Sequence, residues 1–451
     1  MSIDIPPQTP SRRRFIGVAA ATVAAGSLSR LAFADTNQAI TEVAQPAGGD
    51  TTTIRPLRVH VPESQLVDLR RRIKATRWPD RETVTDDSQG VPFALIQELA
   101  RHWATDYDWR KCEARLNALP QFITEIDGLD IHFIHVRSKH ENAMPLIVTH
   151  GWPGSVIEQF KIIDPLTNPT AYDASASDAF HLVIPSLPGY GFSGKPTTTG
   201  WGPERTARAW VVLMKRLGYT RFAAQGGDLG GVVCNVMARQ APPELLGIHV
   251  NFPATVPPGI AKALQAGDPP PAGLADDERH AYEQLSSAAM KRRAYALEMG
   301  TRPQTLYGLA DSPVGLASWL LDHGDGYVQP AAALTSAVFG RPVNGESAGD
   351  LTRDDVLDDI TLYWFTNTGI SAARFYWESH FNFIGAADVS VPAAVSVFPR
   401  ENYQAPRSWT ERAYHNLIYY NRPDKGGHFA AWEQPHLFAE EVRAGFKPLR
   451  I

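Results

Sequence analysis

The sequence predicts an α/β protein: a mostly parallel β-sheet flanked by helices, with an inserted helical cap and an N-terminal helical wrapping segment. Three observations carry this. Leu146-Ile147-Val148-Thr149 is an almost unbroken apolar run, as a strand covered on both faces should be. Further apolar runs, Phe180–Ile184, Phe222–Gln225, Leu246–Val250, Ala394–Phe398 and Asn416–Tyr420, are separated by helix-length stretches or longer, the signature of a parallel sheet. Between about Pro253 and Phe383 no strand pattern occurs, only helical stretches broken by Pro and Gly. That insertion reads as a cap over the C-terminal edge of the sheet, where open α/β sheets bind ligands.

Taken in order, the chain begins with an address. Arg12-Arg13-Arg14-Phe15-Ile16 precedes an apolar run from Gly17 to Leu28 and then Ala32-Phe33-Ala34. A charged region, an apolar core and an Ala-x-Ala site make residues 1–34 a signal peptide. The paired arginines resemble a twin-arginine signal, so export to the periplasm or beyond is expected, with no stable membrane span after cleavage. Residues 35–53 read as a flexible linker. Residues 54–127 read as the wrapping segment, without strands of its own. Leu66, Leu69 and Ile73 share a face of a helix opened by Pro62-Glu63, and Phe93, Ile96, Leu99 and Trp103 share another. A third helix starts at Tyr107-Asp108-Trp109, and the segment should wrap the next domain through its tryptophans.

Residues 128–252 form the first part of the core, with Leu129–Val136 alternating as a half-buried strand. The cap covers 253–383 and the second part of the core 384–451. A formal net charge of −5 over 451 residues points to neither nucleic acid nor an anionic membrane as partner. Two cysteines, Cys112 and Cys234, exclude a disulfide framework. No phosphate-binding loop or Cys/His metal cluster is visible, so neither cofactor nor metal is expected.

The chemistry is organised around Gly226-Gly227-Asp228-Leu229-Gly230, between an apolar run and a helical one. This is the spacing of a nucleophile elbow with Asp in the nucleophile's place. A serine there would attack acyl carbons; a carboxylate displaces leaving groups at sp³ carbon and becomes an alkyl ester. On this stretch alone, an Asp capping a helix after a Gly-rich turn explains the residues equally well. The rest of the chain supports the elbow. Glu401 follows the strand ending at Phe398, and His428 follows Gly426-Gly427 after the last strand, in the order nucleophile, acid, histidine. Asp358 and Asp359 compete as the acid, though they sit in the cap. His150-Gly151-Trp152-Pro153-Gly154 follows a buried strand, where a loop supplies one backbone N–H of an oxyanion hole. The two N–H groups would be those of Trp152 and Leu229.

Several long motifs in one order make the chain similar to the microsomal-type epoxide hydrolases, over nearly its whole length after the signal. They are Thr76-Arg77-Trp78-Pro79, Tyr107-Asp108-Trp109-Arg110, Leu119 to Gly128, His150 to Ser155, Asp311 to Leu316 and Gly426 to Ala430. The resemblance implies an α/β-hydrolase fold with Asp228 as nucleophile, His428 as base and Glu401 as its partner. It also implies two cap tyrosines, Tyr295 and Tyr376, as donors to the epoxide oxygen, although helical tyrosines are otherwise commonplace packing residues. The substrates would be water and a small hydrophobic epoxide, opened to a vicinal diol. One departure stands out: the family usually has Trp after the nucleophile, where this chain has Leu229. A haloalkane dehalogenase-like hydrolase shares the Asp–His–acid logic but needs side-chain N–H donors for halide. A non-catalytic binding protein of the same fold would be expected to lose triad members, and all three candidates are retained. The sequence does not give the oligomeric state or the natural epoxide.

Overall fold

The computed structural model describes residues 40–43, 49–85, 88–291, 294–322, 331–342, 347–379 and 385–450. The signal peptide and the end of the cap at 380–383 lie outside these. Ten strands make one sheet: β1 (Thr41–Val43), β2 (Arg55–Val59), β3 (Gln121–Ile126), β4 (Leu129–Val136), β5 (Met144–Thr149), β6 (Phe180–Pro185), β7 (Phe222–Gly226), β8 (Leu245–Val250), β9 (Ala393–Ser396) and β10 (Leu417–Asn421). Their order is β1-β2-β3-β4-β6-β5-β7-β8-β9-β10. Pairings from β1 to β6 are antiparallel and all those from β6 to β10 are parallel. The parallel half therefore carries crossover helices on its faces, and β5, β6 and β7 are mostly apolar because both sides are covered, whereas the edge strand β10 is only half-buried.

Strands do not begin at Gly128, as the sequence suggested. β3 pairs with β4 across Asp127-Gly128, whose φ values are +54° and +79°. A two-residue Asp-Gly loop with both residues left-handed matches the twist of an antiparallel pair, so this is a hairpin. β2 lies within the segment read as strandless; its Pro56 and two arginines hide the apolar alternation. Part of the presumed linker is also ordered, since Thr41–Val43 pairs with Leu57–Val59.

The helices of the N-terminal segment are α1 (Glu63–Lys74), α2 (Phe93–Thr105) and α3 (Trp109–Asn117). The apolar spacing read from the sequence is the buried face of α1 and, from Ile96 to Trp103, of α2; Phe93 is only half-buried and meets Trp78 edge-on. Asp108 caps α3 by accepting from the Arg110 N–H at 3.0 Å. Two of the tryptophans of this segment reach the cap helix Arg353–Thr366, while Trp78 packs on Phe93 within the segment. Trp103 Nε1 donates to Thr361 Oγ1 at 2.9 Å, and Trp109 meets Phe365 edge-on at 5.4 Å. The described part of the insertion is helical, including Pro258–Ala266, Asp276–Lys291, Ala294–Thr301, Pro313–Leu321, Arg353–Thr366 and Gly369–Glu378. Cys112 and Cys234 are free, buried thiols. No described helix is long and apolar enough to cross a membrane.

Candidate active site

β5 and β7 are parallel neighbours, with Thr149 opposite Gly226. The loop His150–Gly154 and the turn at Asp228 thus leave the sheet side by side at the same level. Asp228 sits at the apex with φ +47°, a left-handed conformation that costs a non-Gly residue about 1 kcal/mol or more. The helix Asp228–Gln240 starts there and crosses back under β5 very closely. A Cβ on Gly230 would lie 1.9 Å from the Thr149 carbonyl oxygen, which is why glycine stands at that crossing.

The Trp152 N–H donates to Asp228 Oδ1 at 2.9 Å, and the Leu229 N–H also reaches the carboxylate. His428 Nε2 lies 3.5 Å from Asp228 Oδ2, while His428 Nδ1 lies 2.6 Å from Glu401 Oε1. The acid loop and the histidine loop are tied by a bridge between Arg400 and Gly427, the residues just before each. Asp228, His428, Glu401 and the two backbone donors read from the sequence are therefore brought together. The Leu229 side chain is fully buried in the core.

Burial works against charge on Asp228. The hydrogen bond and charge of His428, with the Trp152 and Leu229 N–H groups, outweigh it and hold its pKa below the ordinary 3.8. For His428 burial would lower the pKa, but the carboxylates of Glu401 and Asp228 prevail and raise it well above 6.5. His150 is different. Its Nε2 accepts from the Leu187 N–H at 3.1 Å and its Nδ1 donates to the Gly151 carbonyl at 2.9 Å. Burial lowers its pKa to about 4, so it is a neutral strut that fixes the oxyanion loop to the end of β6.

The cap lowers two aromatic side chains onto this loop. Tyr295 stacks on Trp152 with centroids 4.7 Å apart, and Tyr376 meets Trp152 edge-on at 5.9 Å. The two tyrosines meet each other at 6.2 Å. Burial and then the charge of Asp228 raise the Tyr376 pKa well above 10, so it stays a protonated donor. Asp358 and Asp359, the competing acids, lie elsewhere. Asp358 accepts from the Tyr107 hydroxyl at 2.7 Å and pairs with Arg115; Asp359 accepts from Ser155 Oγ at 2.6 Å.

Sequence reasoning missed a polar lining behind the nucleophile. A cavity of about 10 Å³ touches Asp228 and His428 and is also lined by Glu158, Gln159, Gln225 and Asn251. Gln225 Nε2 donates to Asn251 Oδ1 at 3.1 Å, and the Asn251 amide packs against Gly227. The only sequence signal was a polar pair, Glu158-Gln159, directly after the apolar pair Val156-Ile157.

The chain is similar to known proteins over most of its length. Residues 54–159 match the family model described as epoxide hydrolase N terminus, and residues 144–284 match the model of the alpha/beta hydrolase fold. A Stigmatella aurantiaca (strain DW4/3-1) protein, provisionally named an epoxide hydrolase, is 48% identical over 88% of this chain and 86% of its own length. Epoxide hydrolase 1 of Sus scrofa is 33% identical over 88% of this chain and 90% of its own. The crystal structure of juvenile hormone epoxide hydrolase from Bombyx mori superposes with a TM-score of 0.77 at 29% identity, covering 89% of this chain and 96% of that one.

Proposed function

The chain belongs to the microsomal-type epoxide hydrolases of the α/β-hydrolase fold, and from that premise we propose how its own residues divide the reaction. Asp228 attacks an epoxide carbon in line through Oδ2, while Tyr295 and Tyr376 donate hydrogen bonds to the ring oxygen. The carbon–oxygen bond of the ring breaks and an alkyl ester of Asp228 forms. Two phenols suit this step because they remain protonated at neutral pH yet stabilise a developing alkoxide.

Ester formation neutralises Asp228. One of the two charges that hold the His428 pKa up is then lost, so the imidazolium gives up its proton, which passes by way of solvent to the alkoxide left by ring opening. His428 next takes a proton from water, which attacks the carboxyl carbon of the ester. Glu401 fixes the tautomer and stabilises the charged ring. The oxyanion falls on Oδ1, already seated against the Trp152 N–H. Collapse expels the diol oxygen, which takes the proton from His428, and the Asp228 carboxylic acid then passes its own proton to the imidazole, restoring carboxylate and imidazolium.

The observation that carries this reading is the split of roles at one carboxylate: Oδ1 bonded to the Trp152 N–H at 2.9 Å and Oδ2 3.5 Å from His428 Nε2. A single turnover in ¹⁸O-water tests it. Unlabelled carboxylate oxygen should enter the diol and ¹⁸O should remain in the protein. With styrene oxide, His428→Gln should alkylate and stall, gaining the mass of the epoxide, and Asp228→Ala should show no adduct. A folded, substrate-binding His428→Gln enzyme with no adduct would falsify the covalent assignment.

We also propose that residues 1–34 direct export through a twin-arginine route, so that the enzyme meets hydrophobic epoxides outside the cytoplasm. The charged region, apolar core and Ala32-Phe33-Ala34 support this. The exported protein should begin at Asp35, and Arg12-Arg13→Lys-Lys should abolish its appearance outside the cytoplasm. N-terminal sequencing that finds residues 1–34 on the mature protein counts against it.

A further inference from the structure

We propose that Glu158 and Gln159 hold the water that hydrolyses the Asp228 ester, in the small cavity they share with Asp228 and His428. The inference rests on the covalent reading above and adds residues to its second step. Three independent features carry it. The cavity measures about 10 Å³, close to the room a single water needs, and both reacting groups line it. Gln159 is 3% exposed and lines that cavity, yet its Oε1 has no hydrogen-bond partner among the described residues. A buried acceptor in contact with a polar, water-sized space is the condition under which an ordered water is held, given two or more polar partners.

The third feature is the Glu158 carboxyl. A Cβ on Gly154 would lie 2.0 Å from Glu158 Oε2, so the carboxyl fills the space a side chain at 154 would take, directly beside the oxyanion loop. Burial, with the Asp228 charge adding, pushes the Glu158 pKa up to about 8. At neutral pH it is therefore a neutral hydrogen-bonding group that neither repels Asp228 nor competes with Glu401 for the imidazole. Glu158 and Gln159 belong to the 3₁₀ turn Val156–Ile162, capped by Ser155, whose Oγ accepts from the Ile157 N–H at 3.2 Å and donates to Asp359 at 2.6 Å. The turn is thus anchored to the cap helix Arg353–Thr366.

The step balances as follows. Water gives one proton to His428 Nε2 while its other hydrogen is held by Gln159 Oε1 or the Glu158 carboxyl. Its oxygen bonds to the ester carbon, and the bond from that carbon to the alkyl oxygen breaks. The alkyl oxygen takes the proton from His428 and leaves as diol. Glu158 and Gln159 change no bond of their own; they fix where the water stands.

The test separates the two steps with the purified enzyme and styrene oxide. Stopped-flow tryptophan fluorescence reads alkylation, and acid quench with intact-protein mass reads the ester. Glu158→Leu and Gln159→Met should alkylate within about threefold of the parent, yet hydrolyse the ester about 10-fold or more slowly, because each removes a polar group that holds the water while keeping the side chain's size. Ester should accumulate during turnover in both. Gly154→Ala crowds the same carboxyl without deleting it and should give the same split even if one of the other variants folds poorly. Hydrolysis at the parental rate in Glu158→Leu and Gln159→Met overturns the water site, as does equal slowing of both steps. If even His428→Gln forms no ester, the covalent reading falls first and takes this inference with it.

Discussion

Tyr295 and Tyr376 show how much a residue's role depends on what it faces. Either could pack a helix; here both press on Trp152, the residue whose N–H holds Asp228 Oδ1. Losing one of two donors to a developing alkoxide should slow alkylation about 10²-fold, comparable to removing an oxyanion donor. Tyr295→Phe and Tyr376→Phe should each do so with ester hydrolysis affected less, as read by stopped-flow fluorescence. Unchanged alkylation in both variants would make them packing residues. At this scale the sequence was informative where chain order and glycines constrain a side chain: Asp228 between paired glycines, His428 after Gly426-Gly427, Glu401 past a strand. Glu158 was not legible. Its carboxyl meets the site only because the turn after Gly154 folds back over that glycine, a contact between side chain and backbone that no periodicity encodes.

Among the elements, the elbow is the most constrained and the most exposed to test. The helix Asp228–Gln240 passes so near β5 that Gly230→Ala would put a methyl 1.9 Å from a main-chain oxygen rather than from a movable side chain. The backbone must then shift at the crossing that positions Asp228. We expect a loss of about 3 kcal/mol of stability in urea denaturation, at the upper end of overpacking effects, and loss of activity in whatever folds. A Gly230→Ala protein as stable and active as the parent would mean the crossing is looser than described. Helices α1 and α2 and the parallel strands were readable because their apolar spacing matches one buried face or two. β3 was misjudged because the Asp127-Gly128 turn signal was outweighed by the helical pattern before it. β9 ends at Ser396, short of Phe398: the Val397 N–H still donates to the Asn421 carbonyl at 2.9 Å, and Phe398 beyond it is buried by packing.

Across the whole molecule, the N-terminal segment, the cap and the oxyanion loop form one mechanical series. Arg115 on α3 pairs with Asp358 on the helix Arg353–Thr366 and reaches Asp355 at 3.4 Å. From the same helix, Asp359 accepts from Ser155, and the Tyr363 hydroxyl donates to the Gly154 carbonyl at 3.0 Å. The wrapping segment thus grips the helix that grips the loop beside Asp228. Burial raises the Asp358 pKa to about 7, with Tyr107 and Arg115 opposing the rise. An acid whose folded pKa stands above its unfolded value costs stability increasingly as pH climbs from the unfolded value to the folded one. Arg115→Ala removes one opposing charge, moves the folded pKa higher and extends that cost past neutrality. At pH 5 Asp358 is protonated in the fold with or without its partner, so the variant should lose there only the weaker, half-exposed contact of Arg115 with the still ionised Asp355. At pH 8 we expect it to lose about 2 kcal/mol, discounted from a fully buried pair because Arg115 is partly exposed. Urea denaturation of both proteins at pH 5 and pH 8 measures the difference, and an equal loss at the two pH values would show that the Asp358 charge has no part in holding the segment to the cap.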